Sequence, residues 1–425
     1  MSMNKSALAA AIAAAIGASV IGAPSANAAP VSLTQMGSSA VLPIIEQVWH
    51  DYCVAGTLAE YRDATAATAA AYTAGGGSYR IYTCTIATNA TTTAASIAGD
   101  TLTYNERGTG GSIFGVVPVA QGSAQTMMTT TGCTNVGAIA PAATAFACSP
   151  ISTASVVPDI GISDVEPGLF YGTNPNLPAA FPTPLNAADQ AKLTPTPFVQ
   201  QVFGVGVGSA VKASVTNLTT SQITSILNGT YSDWHEVNSA IAAGTAITVC
   251  ERTAGSGTQA GANAIFLNNP CAPSGGLGSV GTAVLNASTS TLIACLNGNA
   301  GHAIGILGLA DGPKAADTFA LVSIGGTAPS AANAATGSYP YEVESTINTR
   351  VITSYTAEQQ KLINALAGVF SDPASLSTVN TGLPAPAVNA LSANYAPSTP
   401  YAASNPVEWG SRGGSTCAPY SLLFP

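Results

Sequence analysis

An α/β architecture is predicted by two recurrences and one absence. Short apolar strands alternate with helical patterns along the chain. Twice a strand runs through a glycine-rich turn into a helix start, at Leu102 to Val116 and at Ile247 to Leu267. Beyond residue 28 no apolar run is long enough to span a bilayer, so the hydrophobic residues are assigned to a folded core rather than to membrane spans.

The elements follow in order. Val41, Ile44, Ile45, Val48, Trp49 and Tyr52 recur at helical spacing and predict a helix over Ser38 to Tyr52, behind a Gly37-Ser38-Ser39 start. Ala64 to Ala98 and Gln121 to Ser149 are rich in Ala, Thr and Gly and read as surface insertions. Between them, Leu102-Thr103-Tyr104 is a strand that runs into Gly108-Thr109-Gly110-Gly111. Asp159 to Ser163 is a second strand ending at Asp164, and the Gly-interrupted run Val199 to Val211 is a buried strand. Thr219 to Leu227 is a helix, Tyr231 to Trp234 a tight turn that sets an indole against the core, and Ile247 to Cys250 a strand feeding the Arg252 to Thr258 turn and its helix. Ala357 to Phe370 is the last amphipathic helix, followed by a Pro/Ala/Ser/Tyr-rich tail.

Composition narrows the function classes. Of 425 residues only 7% are charged, 11 basic and 20 acidic, against roughly 25% in an ordinary soluble domain. Met1 to Lys5 is a short basic leader, Ala7 to Val20 is apolar, and Ala26-Asn27-Ala28 is a small-x-small cleavage site, together a secretory signal peptide over residues 1–28. No cysteine lies at the cleavage site; the first is Cys53, so the product is expected to be exported, periplasmic or extracellular, without a lipid anchor or membrane insertion. Eight cysteines in an exported chain predict disulfides. Local pairing suggests Cys53 with Cys84 and Cys133 with Cys148, and the sequence leaves the connectivity open. No Cys-x-x-Cys occurs, which disfavours zinc and thioredoxin-type redox sites. The net charge of −9 argues against nucleic acid and anionic membranes as partners, while a local anion site stays open.

Three places put Gly, Ser or Thr where a helix begins: Gly37-Ser38-Ser39, Gly108 to Gly111 and Gly255 to Thr258, the last three residues after Arg252. Free N–H groups, the positive end of the helix dipole and hydroxyl donors make each a ready anion site. At these motifs the chain resembles the periplasmic phosphate-binding proteins of ABC uptake systems, a branch of the type 2 periplasmic-binding-protein fold. The resemblance runs in order over most of the mature chain. Leu33 to Trp49 is similar to the family's N-terminal strand, loop and helix; Tyr104 to Gly111 resembles its Tyr-x-x-x-x-Ser-Gly-Gly segment; and Gly161 to Asp164 resembles its Gly-x-Ser-Asp. Leu218 to Trp234 resembles its Leu-Thr block, and Ala303 to Ile306 and Tyr339-Pro340 its later landmarks. Arg252 to Thr258 resembles its Arg-x-Asp-Gly-Ser-Gly-Thr, the most specific of the set, with Ala254 in place of the Asp.

The resemblance implies a two-lobed α/β fold with a hinge and a ligand cleft between the lobes. Lobe I would comprise residues 29–203 and a return segment 340–395, lobe II residues 204–339, and the tail residues 396–425; the crossings would lie near Phe203 and Tyr341. It further implies that Ser39, Ala40, Thr109 and Asp164 from one lobe, and Arg252, Ser256, Gly257 and Thr258 from the other, hold inorganic phosphate or a similar oxyanion. Ser38 is included because the alignment of this loop admits a one-residue shift. An ABC permease is the implied partner, and no cofactor or metal is called for.

The residues carry this assignment physically. Arg252 supplies a planar fork of donors suited to a tetrahedral oxyanion. Asp164 repels an anion unless the anion has a proton to donate, as phosphate has near neutral pH and sulfate has not, so it would select between them. Catalysis finds little support: the chain lacks a Gly-x-Ser-x-Gly elbow, and His50, His235 and His302 stand in no recognisable triad order. The competing reading is a secreted surface or matrix component that self-associates through its insertions or tail, with phosphate binding vestigial.

Overall fold

The computed structural model describes residues 30–74, 77–87, 98–172, 176–178, 181, 185–272, 276–335, 337–351, 355–371, 410–419 and 421–422. The proposed signal peptide lies outside these residues, as does most of the tail. Among the described residues no helix is long and apolar enough to cross a membrane.

Fourteen strands form one mixed sheet. In the first half of the chain these are β1 (Pro30–Gly37), β2 (Leu58–Arg62), β3 (Tyr79–Thr85), β4 (Thr101–Arg107), β6 (Thr134–Ile139), β7 (Ala143–Ala147) and β9 (Ile160–Ser163); β5 (Gln125–Met128) and β8 (Thr153–Val156) pair separately. Then come β10 (Leu193–Val207), β11 (Asn217–Leu218), β12 (Thr248–Arg252), β13 (Val284–Asn286), β14 (Ala303–Gly308), β15 (Ala320–Ile324) and β16 (Glu342–Arg350). The order is β13-β12-β14-β10-β16-β9-β1-β4-β3-β2-β7-β6, with β15 also paired to β10 and β11 to β15.

One strand joins the two halves. From Leu193 to Val202, β10 pairs with β16, which pairs on its other side with β9. From Phe203 to Val207 it pairs instead with β14 and β15. The chain is thus an α/β protein of two lobes connected through long strands, the plan that the resemblance implies.

Each lobe closes around its own apolar faces. Helix α1 (Leu42–Tyr52) buries Ile44, Ile45, Val48, Trp49 and Tyr52 against β1, β4 and β9, with the Trp49 and Tyr104 rings 5.0 Å apart. Helix α2 (Thr220–Leu227) starts at a capping box made by Thr219 and Gln222 and packs Ile223 and Ile226 beside Trp234, whose Nε1 donates to the His302 carbonyl at 2.8 Å. Helix α3 (Gly257–Leu267) is buried almost throughout; α4 (Thr289–Asn297) packs Leu292 and Leu296 on β12 and β14. Helix α5 (Ala357–Ser371) returns to the first lobe through Leu362 and Leu366.

Two expectations are corrected. The stretches read as surface insertions contribute β3, β6 and β7 to the main sheet, and Ile81, Tyr82, Ala143 and Ala145 are buried. The apolar residues Tyr79, Ile81 and Tyr82 mark a short strand, but Ala, Thr and Gly on either side mask it; alanine fills the interior where β7 packs under Tyr72. The first helix begins at Leu42 rather than Ser38, because the Ser38 hydroxyl is engaged elsewhere and Pro43 sits in the first turn.

Four disulfides link Cys53 to Cys84, Cys133 to Cys148, Cys250 to Cys295 and Cys271 to Cys417. The last ties the C-terminal segment to the chain just after α3. That segment also supplies the partners of three acidic side chains near the crossing strands. Arg412 Nη2 lies 2.5 Å from Glu342 Oε1, the Arg412 and Gly414 amides donate to Glu344, and Thr416 donates to Glu166. Burial pushes the Glu342 carboxyl up to about 7 in spite of Arg412.

Replacing Arg412 with Met should therefore destabilise the fold more at pH 8 than at pH 5. Glu342 ionises near 7 only with Arg412 beside it; without that cation it stays neutral at pH 8 and forfeits up to about 1.4 kcal/mol that is not at stake at pH 5. Thermal unfolding at the two pH values measures the difference.

Candidate functional site

The ends of β1 and β9 meet a turn at Ser112–Gly115. Glycine is required at this junction: Gly37 has φ +129°, and a Cβ on it would lie 1.9 Å from the Ile162 carbonyl oxygen. The close approach brings Ser38, Ser112 and Asp164 together.

Asp164 is only 2% exposed and is the centre of a dense network. Its Oδ1 accepts from the Ser38 hydroxyl and from Gln201 Nε2 at 3.0 Å; its Oδ2 accepts from the Ser112 hydroxyl at 3.1 Å. The Asp164 amide donates back to Ser112 Oγ, and the Ala40 amide donates to Ser38 Oγ, each at 3.1 Å. Burial pushes the Asp164 carboxyl above its ordinary range, against the lowering effects of these three side chains and of the Arg252 charge. A carboxylate has about four acceptor positions, and three side-chain donors leave one, on Oδ2.

Arg252, at the end of β12, is 4% exposed and makes no ion pair among the described residues. Its Nε donates to the Asn286 carbonyl at 3.3 Å, Nη1 to Thr289 Oγ1 at 3.0 Å and Nη2 to the Ala287 carbonyl at 3.4 Å. These contacts from β13 and the start of α4 fix the guanidinium. Roughly five N–H donors are available on a guanidinium, so two remain. Burial lowers the Arg252 pKa from its ordinary value, opposed by the charges of Asp164 and Asp311.

The lobes meet directly at the third glycine turn. The Ile113 amide donates to the Gly255 carbonyl at 2.9 Å, and the Gly255 amide to the Asn176 carbonyl at 2.7 Å. A Cβ on Gly257 would sit 2.3 Å from Ser112 Oγ and 2.7 Å from Asp164 Cβ. Ser256 caps α3, its hydroxyl accepting from the Gln259 amide at 3.4 Å, and Thr258 is buried in the first turn.

Most of the residues named from the sequence thus gather at this contact between lobes: Ser38, Ser39, Ala40, Asp164, Arg252, Ser256, Gly257 and Thr258. Ser39 lies 3.4 Å from Thr289 across the cleft, hydroxyl to hydroxyl. Thr109 is a correction in position. It is exposed, and the chain turns through Gly110 and Gly111, both at positive φ, so that Ser112 reaches Asp164 instead. Ser112, Gln201, Thr289 and Asp311 were missed. A serine directly after two glycines and a glutamine inside an apolar strand were signals for the first two; Thr289 sits in a Ser/Thr-rich stretch that marks no single position.

Asp311 is half-buried near Arg252, Arg80 and Lys314. Its Oδ2 has no hydrogen-bond partner among the described residues. Burial pushes its carboxyl up to about 6, partly offset by those three cations and reinforced by Asp164.

No protein-family model matches the chain, and no curated protein matches it. Similar solved structures include a putative phosphate ABC transporter substrate-binding protein with bound phosphate from Clostridium perfringens, 15% identical, with a TM-score of 0.45 over 83% of this chain and 97% of that one. PstS from Borrelia burgdorferi is 14% identical, with a TM-score of 0.39 over 83% and 98%. An ABC-type phosphate transport receptor from Vibrio cholerae is 21% identical, with a TM-score of 0.37 over 53% and 80%.

The Asp311 geometry gives a signed expectation. Its folded pKa is raised, so the fold favours the neutral acid; the resulting penalty is absent below the ordinary carboxylate range and develops as pH rises through about 6. Asp311→Asn should raise stability at pH 7.5 by about 2 kcal/mol, after allowance for partial exposure, and change it little at pH 3.5. Chemical denaturation at the two pH values reads this out.

Proposed function

We propose that the protein is a divergent solute-binding protein that captures inorganic phosphate, or a closely related tetrahedral oxyanion, between its lobes without transforming it. The observation that carries the reading is the donor and acceptor balance of the buried pair. Arg252 keeps two N–H donors and has no carboxylate partner among the described residues, while Asp164 keeps one acceptor position beside the first turn of α3. An anion that accepts several hydrogen bonds and donates one fits that balance. Phosphate near neutral pH does so; sulfate lacks the proton and would face the Asp164 carboxylate without a bond.

In this reading the ligand enters when the lobes part about β10 and β16 and is gripped when they close, with residues 29–203 and 340–395 as one body and 204–339 as the other. Ser39 and the Gly257 amide complete the cradle, while the Ala40 amide holds the Ser38 hydroxyl in place beneath it. Charge-assisted hydrogen bonds of ~1.5–3 kcal/mol each suffice for micromolar affinity, about 8 kcal/mol, after association costs. The four disulfides and the leader sequence support export to a periplasmic or extracellular compartment, where such a receptor delivers its anion to an ABC permease or scavenges it.

Titration calorimetry on ligand-stripped protein tests this. The expected result is micromolar or tighter phosphate binding, weakened at least 100-fold by Arg252→Ala. No heat and no competition with phosphate would overturn the reading. Asp164→Asn is expected to narrow the preference for phosphate over sulfate by at least tenfold; equal binding of the two anions by the wild type would refute the role given to Asp164.

A further inference from the structure

Next to the Asp164 and Arg252 pair, a cleft of about 570 Å³ opens between the lobes. It shares Ser39 and Thr289 with the anion site, and Thr289 Oγ1 is the group that receives Arg252 Nη1. Pockets that take drug-sized molecules occupy roughly 300–1,000 Å³, whereas an oxyanion of five heavy atoms needs only a few water volumes of about 30 Å³ each. The space is too large to serve inorganic phosphate alone.

Its walls describe what the rest of the ligand would be. In a chain with 31 charged residues, six line this one cleft: Arg62, Arg80 and Lys314 against Glu46, Asp63 and Asp311. The concentration is far above the background of the molecule, yet the signs cancel. Glu46 bridges both arginines, its two oxygens each 2.5 Å from a guanidinium nitrogen. The Lys314 ammonium makes no hydrogen bond or ion pair among the described residues, and it stands on the same wall as Asp311 with its unpartnered Oδ2. Apolar surface from Leu42, Pro43 and Ile293 lies among these groups.

Balanced charge disfavours a second anionic group, and the density of donors and acceptors disfavours a hydrocarbon tail. Charged side chains of both signs interleaved with flat apolar patches suit a neutral, hydroxyl-bearing group, whose O–H groups both donate and accept while its C–H faces meet Leu42, Pro43 and Ile293.

We propose that the ligand is a phosphate monoester of a polyol or sugar, with the phosphoryl group at Arg252 and Asp164 and the hydroxylated carbon skeleton in the adjoining cleft. The proposal rests on the anion-site reading and narrows its substrate class. A monoester retains a proton to donate to Asp164 over part of the neutral range, as inorganic phosphate does.

The test compares inorganic phosphate, glycerol 3-phosphate and glucose 6-phosphate by calorimetry on the ligand-stripped full chain, in the wild type and in Ser290→Trp. Ser290 is exposed on the cleft wall, its hydroxyl meets Ser288 Oγ at 2.8 Å rather than Arg252 or Asp164, and an indole there would fill the cleft. The expected result is that at least one ester binds tenfold or more tightly than phosphate, and that Ser290→Trp removes this advantage while changing phosphate affinity less than twofold. Phosphate binding as tightly as both esters, or weakened by Ser290→Trp to the same extent as they are, would overturn the ester proposal and leave the anion site standing. Binding of none of the three would overturn both.

Discussion

The Asp164 carboxylate is held almost out of water, and three side-chain donors from three different parts of the chain keep it there. Without Ser38, Ser112 and Gln201 it would be an uncompensated buried charge, costing several kcal/mol. The arrangement imposes a geometry on everything around it. Ser38 has to leave the helix start, which moves the first turn of α1 to Leu42. Gly37 has to supply a positive φ at the end of β1. Gln201 has to interrupt an apolar strand just before β10 changes partner, so the same side chain reports on the acid and on the crossing between lobes.

Arg252 is the complementary constraint. A buried guanidinium normally takes a carboxylate partner, and this one takes two backbone carbonyls and a hydroxyl. These contacts orient the fork while leaving its positive charge unneutralised by any direct ion pair among the described residues. Ala254 offers no carboxylate at this turn, and the orientation of the guanidinium rests on β13 and the start of α4.

The sequence made the α/β class and most of the residues that meet between the lobes legible because both rest on local patterns. Helical spacing from Val41 to Tyr52, the Gly-Ile-Ser-Asp end of β9 and the Arg-to-Thr turn before α3 are each readable within a dozen residues. What escaped was of two kinds. Strands β3, β6 and β7 are built in Ala/Thr-rich stretches whose burial depends on pairing with β2, a partner that local composition does not announce. Ser112, Gln201, Thr289 and Asp311 join the site through long-range contacts; the Ser112 turn in particular passes Thr109 out to solvent because two glycines reverse the chain before it. The C-terminal segment belongs to the same class, since its Arg412, Gly414 and Thr416 matter only through acids more than sixty residues away.

The most direct measurement is a crystal structure of the full chain grown with arsenate, whose anomalous signal marks the anion without ambiguity. The account predicts a single strong peak between the lobes, with arsenate oxygens at about 2.7–2.9 Å from the Arg252 guanidinium and one oxygen within hydrogen-bond distance of Asp164 Oδ2. A peak elsewhere on the molecule, with Arg252 and Asp164 unengaged, would contradict it.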